Sequence, residues 1–228
     1  ASLVGSRVER KEDKKFLTGR GKYTADVNFV HQTYAYFVRS PHARAQIKKV
    51  DISKALKASG VVSVLTGADI ANDKIGGLIA GWRIKSEDGS DMKVPPHPPL
   101  ANETVNYVGD HVAVVIAESL DEARAAADLV KVDYKVLKAV VSTKDTMNSD
   151  QIYKDIPKNM CFDWLLGDRA KVKEAFENAD KIIKIDIVNN RLIPNAMEPR
   201  AANADYNPST EEITLYTTSQ NPHLARII

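Results

Sequence analysis

One local pattern restricts the fold of this 228-residue chain more than any other. Val112, Val114 and Ile116 belong to an apolar run, and Ser119 and Glu122 follow it in the spacing of a helix capping box. The chain must therefore pass from strand to helix within a few residues. Leu120, Ala123, Ala126, Ala127 and Val130 fall on one helical face, and residues 131–136 resume the alternation of a strand. This predicts a strand, helix, strand unit over 111–136, in which small alanines let the helix lie close on the sheet. Two strands joined in this way suit parallel neighbours with a right-handed crossover.

The flanking segments read less sharply. Residues 34–39 and 44–50 alternate as strands around the turn Ser40-Pro41-His42; residues 51–59 read as a short helix ended by Gly60, and 61–65 as a buried strand. Residues 76–100 carry Gly76, Gly77, Gly81, Trp82 and the run Pro95-Pro96-His97-Pro98-Pro99. Proline fixes φ and removes a donor, so this stretch is expected to be a long irregular connection. It reads as a surface loop, with an interface or substrate-funnel loop as the alternative. Polar residues accumulate over 142–161 and mark a linker. Asp168 is placed to cap a helix that buries Val172, Ala175, Phe176 and Ala179, and 181–189 alternates as a strand with Ile183, Ile185 and Ile187 on one face. Two further alternating runs flank the turn Asn207-Pro208-Ser209-Thr210, and Ser219-Gln220-Asn221-Pro222-His223 follows the second.

Composition narrows the function classes. A hydrophobic fraction of 43% suffices for a packed core, and 32 Lys and Arg against 30 Asp and Glu leave a net charge of +2, too small a bias to argue for nucleic acid. No apolar run approaches the ~20 residues of a membrane span and the first residues lack a signal-peptide pattern, so a cytoplasmic setting is expected. The single cysteine, Cys161, excludes an internal disulfide and a local four-cysteine iron–sulfur cluster. Beside Met160, Phe162 and Trp164 it reads as a buried small hydrophobe. His42 has no second ligand at metal spacing and reads as a turn residue with a local hydrogen bond. Gly19-Arg20-Gly21-Lys22 lacks the spacing of a dinucleotide fingerprint or a P-loop and reads as a tight turn.

The order of segments carries a resemblance. Gly5-Ser6-Arg7-Val8-Glu9-Arg10 precedes Phe16-Leu17-Thr18-Gly19-Arg20-Gly21-Lys22-Tyr23-Thr24-Ala25-Asp26 and Arg39-Ser40-Pro41-His42-Ala43-Arg44-Ala45. Then come Gly60-Val61-Val62-Ser63-Val64-Leu65-Thr66-Gly67-Ala68-Asp69, the Val105 to Glu118 segment with Asn106-Tyr107-Val108-Gly109-Asp110, the Arg191 to Arg200 segment, and Thr218-Ser219-Gln220-Asn221-Pro222-His223. In this order, through nearly the whole chain, the sequence resembles the amino-terminal part of the molybdenum-hydroxylase large subunit of xanthine dehydrogenase, aldehyde oxidase and aerobic carbon monoxide dehydrogenase.

The resemblance implies an α+β chain: an α/β hammerhead domain with an amino-terminal arm over 1–142, a linker and short helix over 143–180, and the first strands of a molybdopterin-binding α+β domain over 181–228. It places Gln220 where the family has a glutamine whose amide hydrogen-bonds an oxo ligand of the metal. A neutral amide suits that place because its NH2 donates without titrating. Arg191, Glu198 and Arg200 are expected to form a charge pair supporting the backbone nearby, with no direct metal ligand from this chain. The family's glycine-rich loop, further pterin contacts and glutamate base are expected beyond Ile228, so the chain is read as an amino-terminal portion or short subunit, inactive alone. The implied enzyme is a molybdenum-dependent oxidoreductase that oxidises an aldehyde, a heterocycle or carbon monoxide with water-derived oxygen. Its molybdenum–molybdopterin cofactor would lie in the complete large subunit, with iron–sulfur clusters and FAD on partner chains. The alternative is a non-catalytic binding or assembly module that retains the hammerhead fold.

Overall fold

A computed structural model describes residues 3–227. In chain order it contains α1 (Asp13–Leu17), β1 (Tyr34–Arg39), β2 (Ala45–Asp51), β3 (Val61–Thr66), α2 (Gly67–Asn72), β4 (Thr104–Val105) and β5 (His111–Ala117). These are followed by α3 (Leu120–Ala127), β6 (Lys131–Val136), α4 (Arg169–Glu177), β7 (Ala202–Asn207), β8 (Glu212–Thr217) and α5 (Pro222–Ile227). Contacts divide the chain into two units: Thr33–Ile185, and the residues up to Gln32 together with those from Asp186 onward. The amino-terminal arm thus groups with the last strands.

In the Thr33–Ile185 unit, β5 is the central strand of the antiparallel sheet β1-β5-β3, and β2 is central in the antiparallel sheet β4-β2-β6. Strand side chains alternate between faces, and β5 has a hydrophobic cluster on each. Val115 packs with Ala55, Val64, Ala126 and Ala127 on one face, while Val112 packs with Ala45, Ala101 and Val105 on the other. That double burial explains why the run is apolar almost throughout instead of alternating. Ser119 caps α3 as expected: its Oγ accepts the Glu122 N–H at 3.2 Å and lies 2.8 Å from Glu122 Oε2. Ala123 and Ala126 are fully buried and Ala127 nearly so.

The parallel crossover is overturned. β5 and β6 are not neighbours; α3 carries the chain from one sheet to the other, where β6 pairs antiparallel with β2. Local periodicity registers the strand–helix–strand order correctly, but pairing is settled by which sheet each strand's apolar face covers. Residues 51–59 contain only a single 3-10 turn, Ala55–Lys57, with Ala55 buried beneath β3 and Gly60 at φ 72° turning the chain into that strand. Residues 76–100 are irregular apart from an isolated bridge between Lys85 and Asp91.

Two further expectations are corrected. Asp168 caps α4, its Oδ1 accepting the Ala170 and Lys171 N–H groups at 3.0 and 3.1 Å, but Val172 and Phe176 remain 55% and 56% exposed. Residues 181–189 form no strand, and Ile183, Ile185 and Ile187 are exposed. In both segments the apolar pattern has no partner face among the described residues, and a strand needs a ladder as well as a pattern. Gly19, at φ 69°, makes the turn after α1. The His42 ring packs edge-on against Tyr134 at 5.0 Å while its backbone N–H donates to Ser40 Oγ, and Cys161 is half-buried rather than buried.

Close approach of α3 to the sheet makes Ala126 sensitive to volume. Ala126→Leu is expected to lower unfolding stability by about 1–3 kcal/mol through overpacking. Ala175→Leu, on exposed α4, is expected to change it by less than about 0.5 kcal/mol. Chemical denaturation of the two variants measures the difference.

Candidate functional site around Gln220

The hairpin β7–β8 delivers Gln220. Its strands run in register from Ala202 opposite Thr217 to Asn207 opposite Glu212. Asn207 Oδ1 accepts the Ser209 N–H at 3.0 Å in the turn, and Glu211 takes the left-handed conformation at φ 58° where the chain re-enters the ladder. The open end is held by Thr218: its N–H donates to Ala201 O at 3.1 Å, and its hydroxyl donates to Pro199 O at 3.4 Å. Immediately beyond, Ser219 Oγ accepts the Asn221 N–H at 3.0 Å, a side-chain turn that brackets Gln220 before α5 begins. The Gln220 side chain is exposed, and among the described residues it has no protein hydrogen-bond partner.

The expected charge pair is replaced by a different contact. Among the described residues no ion pair joins Arg191, Glu198 and Arg200, and both arginines are exposed. Glu198 instead uses Oε1 to accept the Thr24 N–H at 3.0 Å, capping a turn of the amino-terminal arm. A carboxylate acceptor on a backbone donor makes a charge-assisted hydrogen bond. Two other residues that the sequence reading passed over bind the same arm. Asn203 Nδ2 donates to Val27 O at 2.7 Å and to Gln32 Oε1 at 3.0 Å, and the Phe29 and Tyr216 rings lie 5.4 Å apart. The available signal was weak: Asn203 interrupts a strand pattern with an amide where a β-branched or aromatic residue is favoured.

A second feature lies wholly within Thr33–Ile185. The irregular 76–100 segment walls a cavity of about 640 Å³ with Leu78, Ile79 and Pro95, opposite Tyr107, Asp110 and Tyr153. Asn106 donates its N–H to Asp110 Oδ2 at 3.0 Å and its Nδ2 to Tyr153 at 3.3 Å, which ties the polar side together. Burial, and secondarily the Asp110 charge, raise the pKa of Tyr107 and Tyr153 above the ordinary value, so both hydroxyls stay protonated.

The residues present fit one contact of a molybdenum–pterin group. Gln220 offers an exposed NH2 without a protein partner among the described residues, and this amide neither titrates nor competes as a ligand. Among the described residues no group of three or more His, Cys, Asp or Glu could hold a metal ion directly.

Comparison with known proteins gives the geometry a family. The family model for the aldehyde oxidase and xanthine dehydrogenase a/b hammerhead domain matches residues 18–138, and that for the molybdopterin cofactor-binding domain matches 152–228. The chain is 34% identical to the nicotine 6-hydroxylase large subunit of Paenarthrobacter nicotinovorans, over 99% of its own length and 27% of that protein. It is 31% identical to the carbon monoxide dehydrogenase large chain of Afipia carboxidovorans, over 99% of its length and 28% of that chain. The crystal structure of quinoline 2-oxidoreductase from Pseudomonas putida 86 superposes on 98% of this chain and 28% of that one, with a TM-score of 0.82 at 29% identity. The fold and the hairpin therefore define a hammerhead domain followed by the start of a molybdopterin cofactor-binding domain. The chain belongs to the aldehyde oxidase and xanthine dehydrogenase family of molybdenum hydroxylases and spans a little over a quarter of the length of the curated relatives named here. No helix of the described residues is long and apolar enough to cross a membrane.

One titration is built into the hammerhead sheet. His111, at the start of β5, stacks on Phe37 at 4.5 Å, and burial with the nearby Arg39 charge holds its pKa below the ordinary 6.5. The unfolded chain therefore takes up the proton more readily than the folded one, and the contribution of neutral His111 to stability is complete above the ordinary value and lost as pH falls from there through the lower folded one. Urea unfolding is expected to show stability falling as pH drops below about 6.5, with a shallower fall in His111→Gln.

Proposed function

We propose that this chain forms the amino-terminal part of the large subunit of a molybdenum hydroxylase that oxidises an aldehyde, a heterocycle or carbon monoxide with oxygen derived from water. The observation that carries this reading is the Gln220 amide, exposed, without a protein partner among the described residues, and spanned by the Ser219–Asn221 turn at the end of the β7–β8 hairpin. Relatives named for nicotine and carbon monoxide, and a solved structure named for quinoline, support the breadth of the substrate class.

When bound, the molybdenum–molybdopterin group supplies the redox chemistry, and the protein contributes binding, orientation and electrostatics. Within this chain that contribution is narrow. Gln220 is the residue that would help hold this group, its amide NH2 serving as a donor, and its neutrality would keep that donor in place over the working pH range. Thr218 and Ser219 restrict the backbone on either side, so the amide is held before the substrate arrives and little reorganisation is needed. Arg191 and Arg200 supply positive charge to the surrounding segment, and Glu198 orders the backbone through Thr24. The remainder of the large subunit is the proposed partner for the exposed apolar segment that includes Ile187, Leu192 and Ile193. Iron–sulfur and flavin centres, proposed on partner chains, would carry the electrons away; Cys161 alone is too few for a four-cysteine cluster within these residues. The proposed setting is cytoplasmic. The proposed boundaries lie at 142/143 and 180/181, with a linker and short helix between them.

In the assembled enzyme, Gln220→Ala is expected to lower kcat about 10- to 100-fold while molybdenum content and subunit composition stay unchanged. Steady-state kinetics with metal analysis measures both. Loss of assembly without a specific kinetic defect would make Gln220 a structural residue.

A further inference from the structure

We propose that residues 23–32 are a clasp that positions Gln220, acting through Asn203, Glu198 and the Phe29–Tyr216 contact. The proposal rests on the molybdenum-hydroxylase reading for what Gln220 faces, while the clasp itself rests on contacts within one unit.

Burial marks the clasp. From residue 186 to residue 226 the half-buried positions are Glu198, Ala201, Asn203 and Thr218, and every other position is exposed. Glu198 and Asn203 hydrogen-bond the arm directly, and Asn203 is cross-strand partner to Tyr216, whose ring meets Phe29. The arm therefore grips both strands at a single rung of the ladder. Ala201 and Thr218 sit at the open end of the same hairpin, joined by the Thr218 N–H to Ala201 O bond. Tyr216 precedes Gln220 by four residues, so the rung held by the arm is close to the residue to be placed.

The arm is shaped to do this. Residues Thr24–Asp26 form a 3-10 turn whose Asp26 Oδ2 accepts the Tyr23 N–H at 2.8 Å. Gln32 folds back so that its Oε1 accepts both the Phe29 N–H and Asn203 Nδ2, each at 3.0 Å, with His31 at φ 61° making the bend. Asn203 thus uses its NH2 toward two fixed acceptors. An aspartate there has the same shape but would face them with a carboxylate, so Val27 O loses its side-chain donor and Gln32 Oε1 keeps only the Phe29 N–H. The contacts join residues separated by more than 170 positions, so neither end of the unit makes them without the other.

A loosened clasp lets the Ser219–Asn221 turn drift, and displacement of about 1 Å in a positioning element can cost on the order of 100-fold in rate. The test uses the assembled enzyme. Asn203→Asp and Phe29→Ala are expected to lower kcat about tenfold at unchanged KM and molybdenum content, to alter the molybdenum(V) electron paramagnetic resonance spectrum, and to speed amide hydrogen exchange over 201–221. Phe29→Tyr, which keeps the ring, restores kcat. In a Gln220→Ala background, Asn203→Asp adds no further loss, because the clasp acts through that amide. Should Asn203→Asp fail to assemble, Thr24→Pro removes the N–H donated to Glu198 together with the threonine hydroxyl, at a position where the preceding Tyr23 is already extended; a two- to fivefold loss, on the order of one hydrogen bond, is expected. Unchanged exchange over 201–221 overturns the clasp whatever the metal content. Additive losses in the Gln220→Ala background overturn its action through Gln220. Absence of molybdenum from the wild-type assembly overturns the functional reading instead.

Discussion

Strand β5 has hydrogen-bonded neighbours on both edges and a hydrophobic cluster on each face. Everything else in Thr33–Ile185 answers to that placement. Its odd-numbered face needs cover, which α3 supplies with alanines small enough to bring a helix backbone close. Its even-numbered face needs cover too, and β2 and β4 meet it through Ala45 and Val105. A side chain buried in this way contributes in proportion to the apolar area removed from water, about 25 cal/mol per Å². Small residues at the contact trade area per residue for close approach of whole elements.

The unit that carries Gln220 is held together differently. Among its described residues there is no comparable apolar core: Ile213, Leu215, Leu192 and Ile193 are all exposed. Its ordering comes from backbone and amide hydrogen bonds between the amino-terminal arm and the hairpin, with one aromatic pair. Such contacts are directional, so they fix position more sharply than apolar burial does. A donor that must meet a particular ligand atom benefits from that kind of support, since an oriented dipole loses its value quickly with angle and distance. Two segments at opposite ends of the sequence thereby make one local structure.

The sequence was most informative where local chemistry decides the outcome. Ser119 and Glu122 declare the start of α3, Asp168 declares α4, and the turn at Asn207 declares the final hairpin, each through hydrogen bonds within a few residues. Family membership was legible in the order of segments, because a resemblance that runs through the chain does not depend on any one contact. Long-range pairing was not legible. The alternation over 131–136 is the same whether β6 joins β5 or β2, and that over 181–189 is present although no strand forms there. The Glu198 contact was missed for a related reason: its nearest charges in sequence are Arg191 and Arg200, but its partner is the uncharged N–H of Thr24. Charge in a sequence points to salt bridges, whereas a carboxylate near a turn can equally serve a backbone donor.

Gln220 is the neutral amide that this chain is proposed to contribute to a molybdenum site. A crystal structure of the assembled enzyme with its cofactor tests that claim most directly. Gln220 Nε2 is expected at hydrogen-bonding distance, about 2.7–3.2 Å, from an oxygen ligand of the metal. A Gln220 side chain turned toward protein backbone, with another residue donating to that oxygen, would contradict it.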